Sequence, residues 1–526
     1  MIFLFLSLAQ QYAFYAFKGF PIVWLSAEKY LGLLLVYFIF TFCPGPKLRF
    51  FLLSHLLILN AFQMGHLSFF GTQVLPNEIW LFFNELHEVG GTVGAELQHI
   101  FIPLAFTLVP MFIGLYFIYK YRTTYASKFI PILVLLYAVY NPARTYITGN
   151  TWGRQPSTHE LAGMNLYLSF SYFFGKILPS KLSNQKFSVK ENESLRLKLD
   201  ELKTSEWDNI IVVLGESLTP HHMSLFGYER NTTPYIDTLK DSPNFINLIG
   251  LSSGVSTDIS VAFFLNMGYG DAGGMKAAKG EHCLIKLAKE AKFSTHFLSM
   301  QSSEQLRYIA PYLCTAYLDD YQSLENVSPK TVDHQAAIDR DVLPKLSALL
   351  ETPGKKFIML HQRGSHSPWA RRFRPESAKF KSEGTDSRIN DYDNSVVEFD
   401  SFWKELNLVL NLKDTKTLVV YLSDHGESLG EGQRWGHGFL QPRSFEIPIL
   451  IQAFGNELPV KNGDFKNFLP QYNLSLFIAK QIGWSANQDP STPVKDFVIY
   501  GNDIDGFAGK AEITFDEKSY KFKVVP

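Results

Sequence analysis

Five apolar segments lie within the first 145 or so residues of this 526-residue chain, and they restrict its fold more than any other feature. A stretch that crosses a bilayer must satisfy its backbone hydrogen bonds internally, and it does so as a helix. The segments lie at roughly 2–20, 30–44, 50–70, 100–119 and 127–142. The first lacks a basic n-region and a small-residue cleavage site, so it is interpreted as a retained membrane helix. The sequence therefore predicts a helical membrane domain over 1–145 with about five transmembrane helices.

Charges in the connecting loops predict how these helices are oriented. The loops after the second and fourth segments are basic, with Lys47, Arg49, Lys120, Arg122 and Lys128. The loop after the third segment has no Lys or Arg and carries Glu78, Glu85, Glu88 and Glu96. Because basic loops stay in the cytoplasm, an odd number of crossings delivers everything after the fifth segment to the outside. In a bacterium, that side of the inner membrane is the periplasm.

Three polar residues near the outer end of the third segment form a candidate headgroup site. Asn60, Gln63 and His66 are spaced i, i+3, i+6 and lie roughly on one helical face. Polar groups at that depth are costly and often functional. The alternative is that they make hydrogen bonds between helices of the membrane domain.

Beyond the apolar N-terminal region, the chain divides into a connector and a soluble domain. Residues 146–206 contain an aromatic stretch at 163–178, typical of an interfacial helix, followed by a charged linker. Residues 207–526 have the mixed composition of a soluble α/β domain, and the net charge of −1 gives no reason to invoke nucleic acid. In an exported domain, Cys283 and Cys314 either form one disulfide or remain two buried thiols.

Three apolar runs of strand length in the soluble domain end in metal-competent residues. Residues 209–214 lead to Glu216, residues 356–361 end in His361 and lead to His366, and residues 417–423 lead to Asp424, His425 and Glu427. Continuous apolar runs indicate strands buried on both faces, and sites in open α/β sheets form beyond the carboxyl ends of the strands. The mix of carboxylate and imidazole ligands favours Zn²⁺ over Mg²⁺.

A hydroxyl-rich segment at 248–266 supplies candidate nucleophiles. A divalent metal lowers the pKa of a Ser or Thr hydroxyl and orients the alkoxide. From spacing alone, five hydroxyls compete, and each is equally a candidate helix cap. These are Ser252, Ser253, Ser256, Thr257 and Ser260.

The chain resembles the bacterial phosphoethanolamine transferases, the lipid A and lipopolysaccharide-modifying branch of the alkaline phosphatase/sulfatase superfamily. The resemblance rests on five stretches and on the membrane segments that precede them. The stretches are VVLGESLTPHHMSLFGYERNTTPYID (212–237), SSGVSTDISV (252–261), LHQRGSHSPW (360–369), NDYDNSVVEFD (390–400) and SDHGESLGEGQRWGHG (423–438).

The resemblance implies an alkaline-phosphatase-like α/β domain, with a central sheet flanked by helices, over residues 207–526. It implies one catalytic zinc, with a second possible during turnover, bound by Glu216, Thr257, Asp424 and His425. Thr257 matches the family's nucleophile, and His366 and His437 match the histidines that hold the phosphoryl group or a second metal. His361 is a further substrate-binding candidate.

The reaction implied by the resemblance is ping-pong. Thr257 takes phosphoethanolamine from phosphatidylethanolamine, and a lipid A, lipopolysaccharide or other envelope acceptor then receives it, the chemistry that underlies polymyxin resistance. The loop residue Glu85 is a candidate partner for the ethanolammonium group. A monomer in the inner membrane is expected.

Two departures from the family bear on the acceptor. The soluble domain holds at most one disulfide, and residues 298–314 lack the Asn-rich, Lys-containing pattern of lipid A-specific relatives, so Arg307 is the candidate to replace that lysine.

Three alternatives remain: a phosphoglycerol transferase using phosphatidylglycerol, a sulfatase, and a scaffold without activity. The sulfatase alternative is disfavoured because residues 252–261 contain no Cys/Ser-x-Pro-x-Arg motif.

Overall fold

The structure is a computed structural model that describes most of the chain. The described residues are 2–20, 22–84, 98–120, 127, 129–148, 161–183, 197–200, 203–270, 274, 277, 280, 282–307, 309–328, 337–384, 387–461, 463–502, 509–516 and 518–525. The predicted headgroup residue Glu85 lies outside them. The chain forms two compact units, Met1–Gln185 with Gly430–Trp435, and Lys186–Leu429 with Gly436–Pro526.

The first unit is helical. Its helices are α1 Ile2–Lys18, α2 Ala27–Thr41, α3 Pro46–Phe70, α4 Pro76–Asn84, α5 Gln98–Lys120, α6 Ile130–Thr148, α7 Ala162–Tyr172 and, after a π-helical turn at Phe173–Ile177, α8 Leu178–Ser183. A helix thus overlaps each of the five predicted apolar segments. Among the described residues, only α3 is both long and apolar enough to cross a membrane, and Ile102–Phe117 is a shorter apolar stretch. Five crossings therefore stay a prediction.

The polar residues of α3 make hydrogen bonds within the helical unit. The Nδ2 atom of Asn60 donates to the Ser7 carbonyl at 3.1 Å, and its Oδ1 accepts from the Gly163 N–H at 2.8 Å. The Nδ1 atom of His66 donates to the Thr72 carbonyl at 2.7 Å. The Asn60 side chain thereby satisfies an N–H group at the start of α7, a group that a helix leaves without an internal partner. For Asn60, these contacts are those expected if the polar residues of α3 make hydrogen bonds between helices and do not bind a headgroup.

The second unit is built around an eight-stranded mixed sheet. In chain order, the described strands of the unit are β1 Leu199–Asp200, β2 Asn209–Gly215, β3 Phe245–Leu251, β4 Ser294–Ser299, β5 Asp320–Gln322, β6 Lys356–His361, β7 Thr417–Ser423, β8 Ser428–Leu429, β9 Trp435–Gly436, β10 Glu446–Phe454, β11 Leu469–Pro470, β12 Ser485–Ala486, β13 Val498–Tyr500, β14 Lys510–Phe515 and β15 Tyr520–Val525. The strand order of the large sheet is β11-β3-β10-β7-β2-β6-β4-β5. Strand β10 runs antiparallel to β3 and β7, whereas β7, β2, β6, β4 and β5 run parallel to one another.

Helices cover both faces of this sheet, which explains why its central strands are apolar on both sides. In the described part of the chain, the α-helices of the unit are α9 Pro234–Asp237, α10 Thr257–Leu265, α11 Leu284–Glu290, α12 Leu324–Val327, α13 Leu343–Leu350, α14 Ser387–Asn411, α15 Pro442–Phe445 and α16 Gln471–Ile482. Val420 packs in the core cluster that contains apolar residues of α11 and α16. The next residue, Tyr421, faces the other way, with its ring 4.6 Å from that of Phe399 on α14. Alternate side chains of one strand thus fill two cores.

The predicted architecture is confirmed at this level: a helical N-terminal region precedes an α/β domain with a central sheet flanked by helices. Cys283 and Cys314 form a disulfide, with their Cα atoms 6.7 Å apart. The bond joins the residue before α11 to the segment after Tyr312, and Cys43 in the helical unit is a free, buried thiol.

Candidate metal centre

The carboxyl ends of three neighbouring parallel strands define the candidate site. Strand β2 lies between β7 and β6, with Gly215 paired to Ser423 and Leu214 paired to His361. The next residue after β2 is Glu216, and the next two after β7 are Asp424 and His425. Register alone therefore brings the predicted ligands to one edge of the sheet.

Glu216, Asp424 and His425 form a compact donor cluster in which all three residues are buried. Their ligand atoms lie within 4.8 Å of one another. The Nε2 atom of His425 is 3.4 Å from both Glu216 Oε1 and Asp424 Oδ2. Two carboxylates and one imidazole are ligands that Zn²⁺ accepts.

Two details of hydrogen bonding fit a cation at this cluster. His425 Nδ1 donates to the Gly426 carbonyl oxygen at 2.9 Å, which leaves the lone pair of the neutral ring on Nε2, facing the carboxylates. Asp424 Oδ1 accepts from the N–H groups of Ser217 and His425, at 3.0 and 2.7 Å. Its Oδ2 atom is buried and has no hydrogen-bond partner in the described part of the chain. A buried, unsatisfied carboxylate oxygen is costly unless a cation binds it.

Electrostatics within the cluster also favour a bound positive charge. Burial raises the pKa of Asp424, and the neighbouring Glu216 carboxylate raises it further, to about 7. Burial alone would raise the pKa of Glu216 too, but the hydrogen bond and charge of His425 hold it well below its usual range. Burial lowers the pKa of His425, yet Asp424 and Glu216 outweigh that effect and raise it to about 10. Without a metal, the His425 imidazole therefore holds a proton, whose positive charge takes the place of a cation beside the two carboxylates.

Among the five candidate hydroxyls, the structure directs Thr257 to the cluster. Its Oγ1 atom lies 3.2 Å from Glu216 Oε2 and 3.4 Å from His425 Nε2. Ser252 donates to the Gly254 carbonyl at 2.7 Å, and Ser256 donates to the Asp258 carboxylate at 2.7 Å. The other two also differ from Thr257, because Ser260 donates to the Asp424 carbonyl and the Ser253 hydroxyl is buried without a hydrogen-bond partner among the described residues.

Thr257 owes its position to the start of helix α10, whose N-cap residue is Ser256. Strand β3 ends at Leu251, and a short loop then turns the chain into α10. The first N–H groups of a helix have no internal acceptor, and the helix dipole favours negative charge there. The Thr257 hydroxyl thus lies where a phosphate group would be stabilised.

A second donor cluster adjoins the first and shares His425. It contains His425, Glu427 and His437, whose ligand atoms lie within 4.8 Å of one another. His437 Nδ1 donates to Glu427 Oε2 at 3.1 Å, and the Glu427 side chain is buried. The ring of His437 is 4.1 Å from that of His425 and 5.7 Å from that of His366. The structure therefore gathers His366 and His437 beside the first cluster.

Several residues that support the site were not among the predicted site residues. The Tyr392 hydroxyl donates to the Ser217 carbonyl at 2.9 Å and accepts from the Thr219 N–H at 2.9 Å, which fixes the turn after Glu216. The Asp339 carboxylate accepts from the N–H groups of Arg363 and Gly364, at 2.8 and 3.0 Å. Asp339 thereby holds the loop that carries His366. Such roles depend on tertiary distances that no local spacing encodes.

The remaining predicted substrate residues have other placements. His361 is the buried last residue of β6, where it contacts Ser299, and burial lowers its pKa to about 4. Arg307 forms an ion pair with Glu304 at 3.0 Å, and its side chain is 69% exposed. Asn60 and His66 belong to the helical unit, and their contacts lie within it.

Residues 208–482, just over half of the chain, match the family model described as Sulfatase. The chain belongs to the sulfatase family. The matched sulfatase segment contains every residue of both donor clusters and Thr257.

Curated relatives of this sulfatase-family chain carry transferase names. It is 31% identical over 256 residues to the Kdo(2)-lipid A phosphoethanolamine 7''-transferase of Salmonella typhimurium, an alignment that covers 46% of this chain and 44% of that protein. It is 27% identical over 384 residues to phosphoethanolamine transferase EptA of Helicobacter pylori, covering 70% of this chain and 68% of that protein. The chain thus spans under half the length of the first of these relatives.

One solved structure shares the fold over nearly the whole chain. It is the integral membrane protein lipooligosaccharide phosphoethanolamine transferase A of Neisseria meningitidis, with a TM-score of 0.58 at 17% identity. The similarity covers 92% of this chain and 95% of that one. A helical N-terminal region followed by a sulfatase-type domain is therefore an architecture already known from a solved structure.

Proposed function

We propose that this protein is a zinc-dependent phosphoethanolamine transferase that works through a covalent phosphothreonine at Thr257. The observation that carries this proposal is the position of the Thr257 hydroxyl, within 3.4 Å of both Glu216 and His425 at the start of a helix. A hydroxyl held against a carboxylate–imidazole cluster is the arrangement that metal-activated nucleophiles require.

Zinc is the metal that the donor chemistry favours. Glu216, Asp424 and His425 would hold it together with the Thr257 oxygen, in the four-coordinate arrangement that Zn²⁺ prefers. When bound, it supplies Lewis-acid activation of the threonine hydroxyl and stabilises negative charge on the transferred phosphoryl group. Because His425 Nε2 is a ligand of the first ion, Glu427 and His437 of the adjoining cluster are the candidate ligands for a second ion during turnover.

The residues of this chain then carry out two displacements. The Thr257 oxygen attacks the phosphorus of phosphatidylethanolamine; an O–P bond forms, the bond from phosphorus to the diacylglycerol oxygen breaks, and that oxygen receives a proton. His437 and His366 are the candidate proton carriers and charge stabilisers, since both rings lie beside His425. In the second displacement, an acceptor oxygen attacks the phosphothreonine and restores the free hydroxyl.

The donor and acceptor are inferred from the relatives' names. Relatives named phosphoethanolamine transferases support phosphatidylethanolamine as the donor, and the Kdo(2)-lipid A enzyme supports a lipid A or lipopolysaccharide acceptor. Modification of lipid A with phosphoethanolamine is the proposed route to polymyxin resistance.

The same proposal places the catalytic unit in the periplasm, after about five crossings of the bacterial inner membrane. The basic loops at Lys47 and Lys120 support this orientation. A cysteine introduced at Lys47 should resist a membrane-impermeant thiol reagent in intact spheroplasts, and one at the exposed Lys240 should react. The opposite labelling pattern would contradict the orientation.

The decisive experiment is to identify the covalent intermediate. The purified full-length protein, incubated with phosphatidylethanolamine vesicles and no acceptor, should gain one phosphoethanolamine group, and peptide mapping should place it on Thr257. The matched control is Ser256→Ala, which removes the neighbouring hydroxyl and should still form the adduct.

Three other outcomes would redirect the assignment. A glycerophosphate adduct formed from phosphatidylglycerol would favour the phosphoglycerol transferase alternative. An adduct on another hydroxyl would exclude Thr257 as the nucleophile. A protein that binds zinc below stoichiometry and forms no adduct would favour a scaffold without activity.

A further inference from the structure

Gln301 follows strand β4 and contacts the candidate metal-ligand cluster. Strand β4 is two strands away from β2, the strand that precedes Glu216. The last residue of β4, Ser299, pairs with His361 of β6. The Gln301 side-chain amide donates from Nε2 to Glu216 Oε2 at 3.3 Å. It also donates to the Gln362 carbonyl oxygen at 3.2 Å. Both N–H bonds of the amide therefore have acceptors, one of them a proposed zinc ligand.

This contact completes the set of groups that surround the Glu216 carboxylate. Ser217 Oγ donates to Oε1 at 2.9 Å, and the Thr257 hydroxyl lies 3.2–3.3 Å from both oxygens. The Nε2 atom of His425 lies 3.4 Å from Glu216 Oε1. Besides Thr257, Gln301 is the donor that the described residues place on Oε2. A carboxylate with a donor at each oxygen is restricted in rotation about its final side-chain bond.

The backbone of Gln301 is itself fixed by a buried hydrogen-bond chain. Its N–H donates to the Ser299 hydroxyl at 3.0 Å, and that hydroxyl is 3.0 Å from His361 Nδ1. The Ser299 hydroxyl thus accepts from the Gln301 N–H and makes its other hydrogen bond with the His361 ring. Ser299 and His361 are both buried. On the other side, the Gln301 carbonyl oxygen accepts from the Leu324 N–H at 2.9 Å.

We propose that Gln301 is a positioning residue for the metal ligand Glu216, and that Ser299 and His361 hold Gln301 in place. The inference rests on the proposed zinc centre and deepens it. An amide that donates to a ligand carboxylate orients the oxygen that faces the metal, and loss of such a partner typically weakens metal affinity about 10- to 100-fold. This proposal gives His361, predicted from the sequence as a substrate residue, a supporting role through Ser299.

The test compares Gln301→Met with the wild-type full-length protein. Methionine has a similar length but no N–H donor, so the side-chain hydrogen bonds to Glu216 and Gln362 are lost while the backbone hydrogen bonds to Ser299 and Leu324 remain. Zinc affinity is measured by competition with a chromogenic chelator, and we expect a dissociation constant about 10- to 100-fold higher. The visible absorption spectrum of the cobalt-loaded protein should also change in position or intensity, because it reports ligand geometry.

The control is Gln305→Met in the same loop. Gln305 accepts from the Ser302 N–H at 2.9 Å and has no contact with Glu216 among the described hydrogen bonds. This variant should keep wild-type zinc affinity and a wild-type cobalt spectrum. If Gln305→Met weakens zinc binding as much as Gln301→Met does, a general loss of loop structure accounts for the effect and the inference is wrong.

Failure of this inference is distinguishable from failure of the proposed function. Zinc affinity within twofold of wild type and an unchanged cobalt spectrum in Gln301→Met would overturn the role of Gln301 alone. A wild-type protein that binds no zinc would overturn both proposals. The adduct experiment on Thr257 judges the transferase assignment whatever the result for Gln301.

Discussion

Glu216 and Asp424 directly follow Gly215 and Ser423, two residues paired in register on adjacent parallel strands. Both carboxylates are buried, and both approach the Nε2 atom of His425 at 3.4 Å. Two buried like charges beside each other disfavour each other's ionisation. After burial, the charge of Glu216 is therefore the second cause of the raised pKa of Asp424. The sheet therefore holds a repulsive pair together, and a divalent cation relieves the repulsion.

Removing the Asp424 charge should separate metal binding from fold stability. Asp424→Asn keeps an Oδ1 acceptor for the Ser217 and His425 N–H groups but removes the carboxylate. Because a ligand is lost, zinc affinity should fall by more than about 100-fold, beyond the effect of losing a supporting residue. The metal-free variant should unfold at higher temperature than the metal-free wild type, since the repulsion with Glu216 is gone. Calorimetry with and without zinc measures both effects, and a less stable metal-free variant would contradict this account.

Loss of the Thr257 hydroxyl should abolish transfer without removing the metal. In Thr257→Ala, three protein ligands remain, so zinc content should stay near wild type while the rate of headgroup transfer falls at least about 1,000-fold. Thr257→Ser keeps a hydroxyl and should retain measurable transfer. Activity is followed with a fluorescent phosphatidylethanolamine. Ser256→Ala is the matched control, because its hydroxyl contacts Asp258 and not Glu216.

We expect Glu427 to contribute to metal binding at the second donor cluster and not at the first. Its carboxylate accepts from His437 Nδ1, and Glu427→Gln keeps the shape of the side chain while removing its charge. We expect transfer to slow by about 10- to 100-fold and any second zinc to be lost at saturating metal, while one zinc remains. Metal analysis of dialysed protein gives the stoichiometry. An unchanged rate, with the same zinc content as wild type, would remove Glu427 from the site.

The pH dependence of stability should reveal the buried carboxylate of Asp400. It is 5% exposed and accepts from the N–H groups of Tyr235 and Ile236, and burial raises its pKa to about 6. A raised carboxyl pKa means that the folded state favours the protonated form, so stability is lost as pH rises from about 4 through about 6. Asp400→Asn avoids that loss while keeping an acceptor oxygen. Its stability relative to wild type should rise by up to about 3 kcal/mol between pH 4 and pH 7.5.

Fluorescence of the buried Trp403, on the same helix as Asp400, reports this unfolding in denaturant. Asp241→Asn is the control at an exposed position. A difference between Asp400→Asn and wild type that does not change with pH would show that Asp400 has no such effect.

Expression in a polymyxin-sensitive bacterium should identify the acceptor class. If lipid A is the acceptor, mass spectrometry of extracted lipid A should show added phosphoethanolamine, and polymyxin tolerance should rise. Cells expressing Thr257→Ala provide the matched control and should show neither change. Phosphoethanolamine found only on core sugars would keep the transferase assignment and replace the acceptor.

Local patterns in the sequence were sufficient to predict three central strands and the sheet edge at which the candidate ligands lie. The apolar runs at 209–214, 356–361 and 417–423 are strands in the structure, because a sheet covered by helices on both faces requires apolar side chains on both sides of its central strands. The ligands follow those strands directly, so their convergence required only that the strands be parallel neighbours.

Choosing among the hydroxyls was beyond local pattern. Five Ser and Thr residues compete within 252–260, and all of them suit a helix start. The approach of Thr257 to Glu216 depends on where the loop after β3 places the first turn of α10 against β2. The polar residues of α3 pose the same difficulty, since helical spacing shows that Asn60 and His66 share a face but not what that face contacts.

The sequence by itself determined a helical N-terminal region and an α/β domain with candidate ligands at three strand ends, and its resemblance to a family predicted Thr257 as the nucleophile. Only the tertiary structure decided the strand order β7-β2-β6, the arrangement of the two donor clusters around His425, and the contacts of Gln301, Tyr392 and Asp339 beside them. The physical reason is the separation in sequence between the residues that interact. Hydrophobic periodicity is read between residues a few positions apart, whereas Gln301 and Glu216 are 85 residues apart in sequence and meet only because the sheet brings β4 and β2 together.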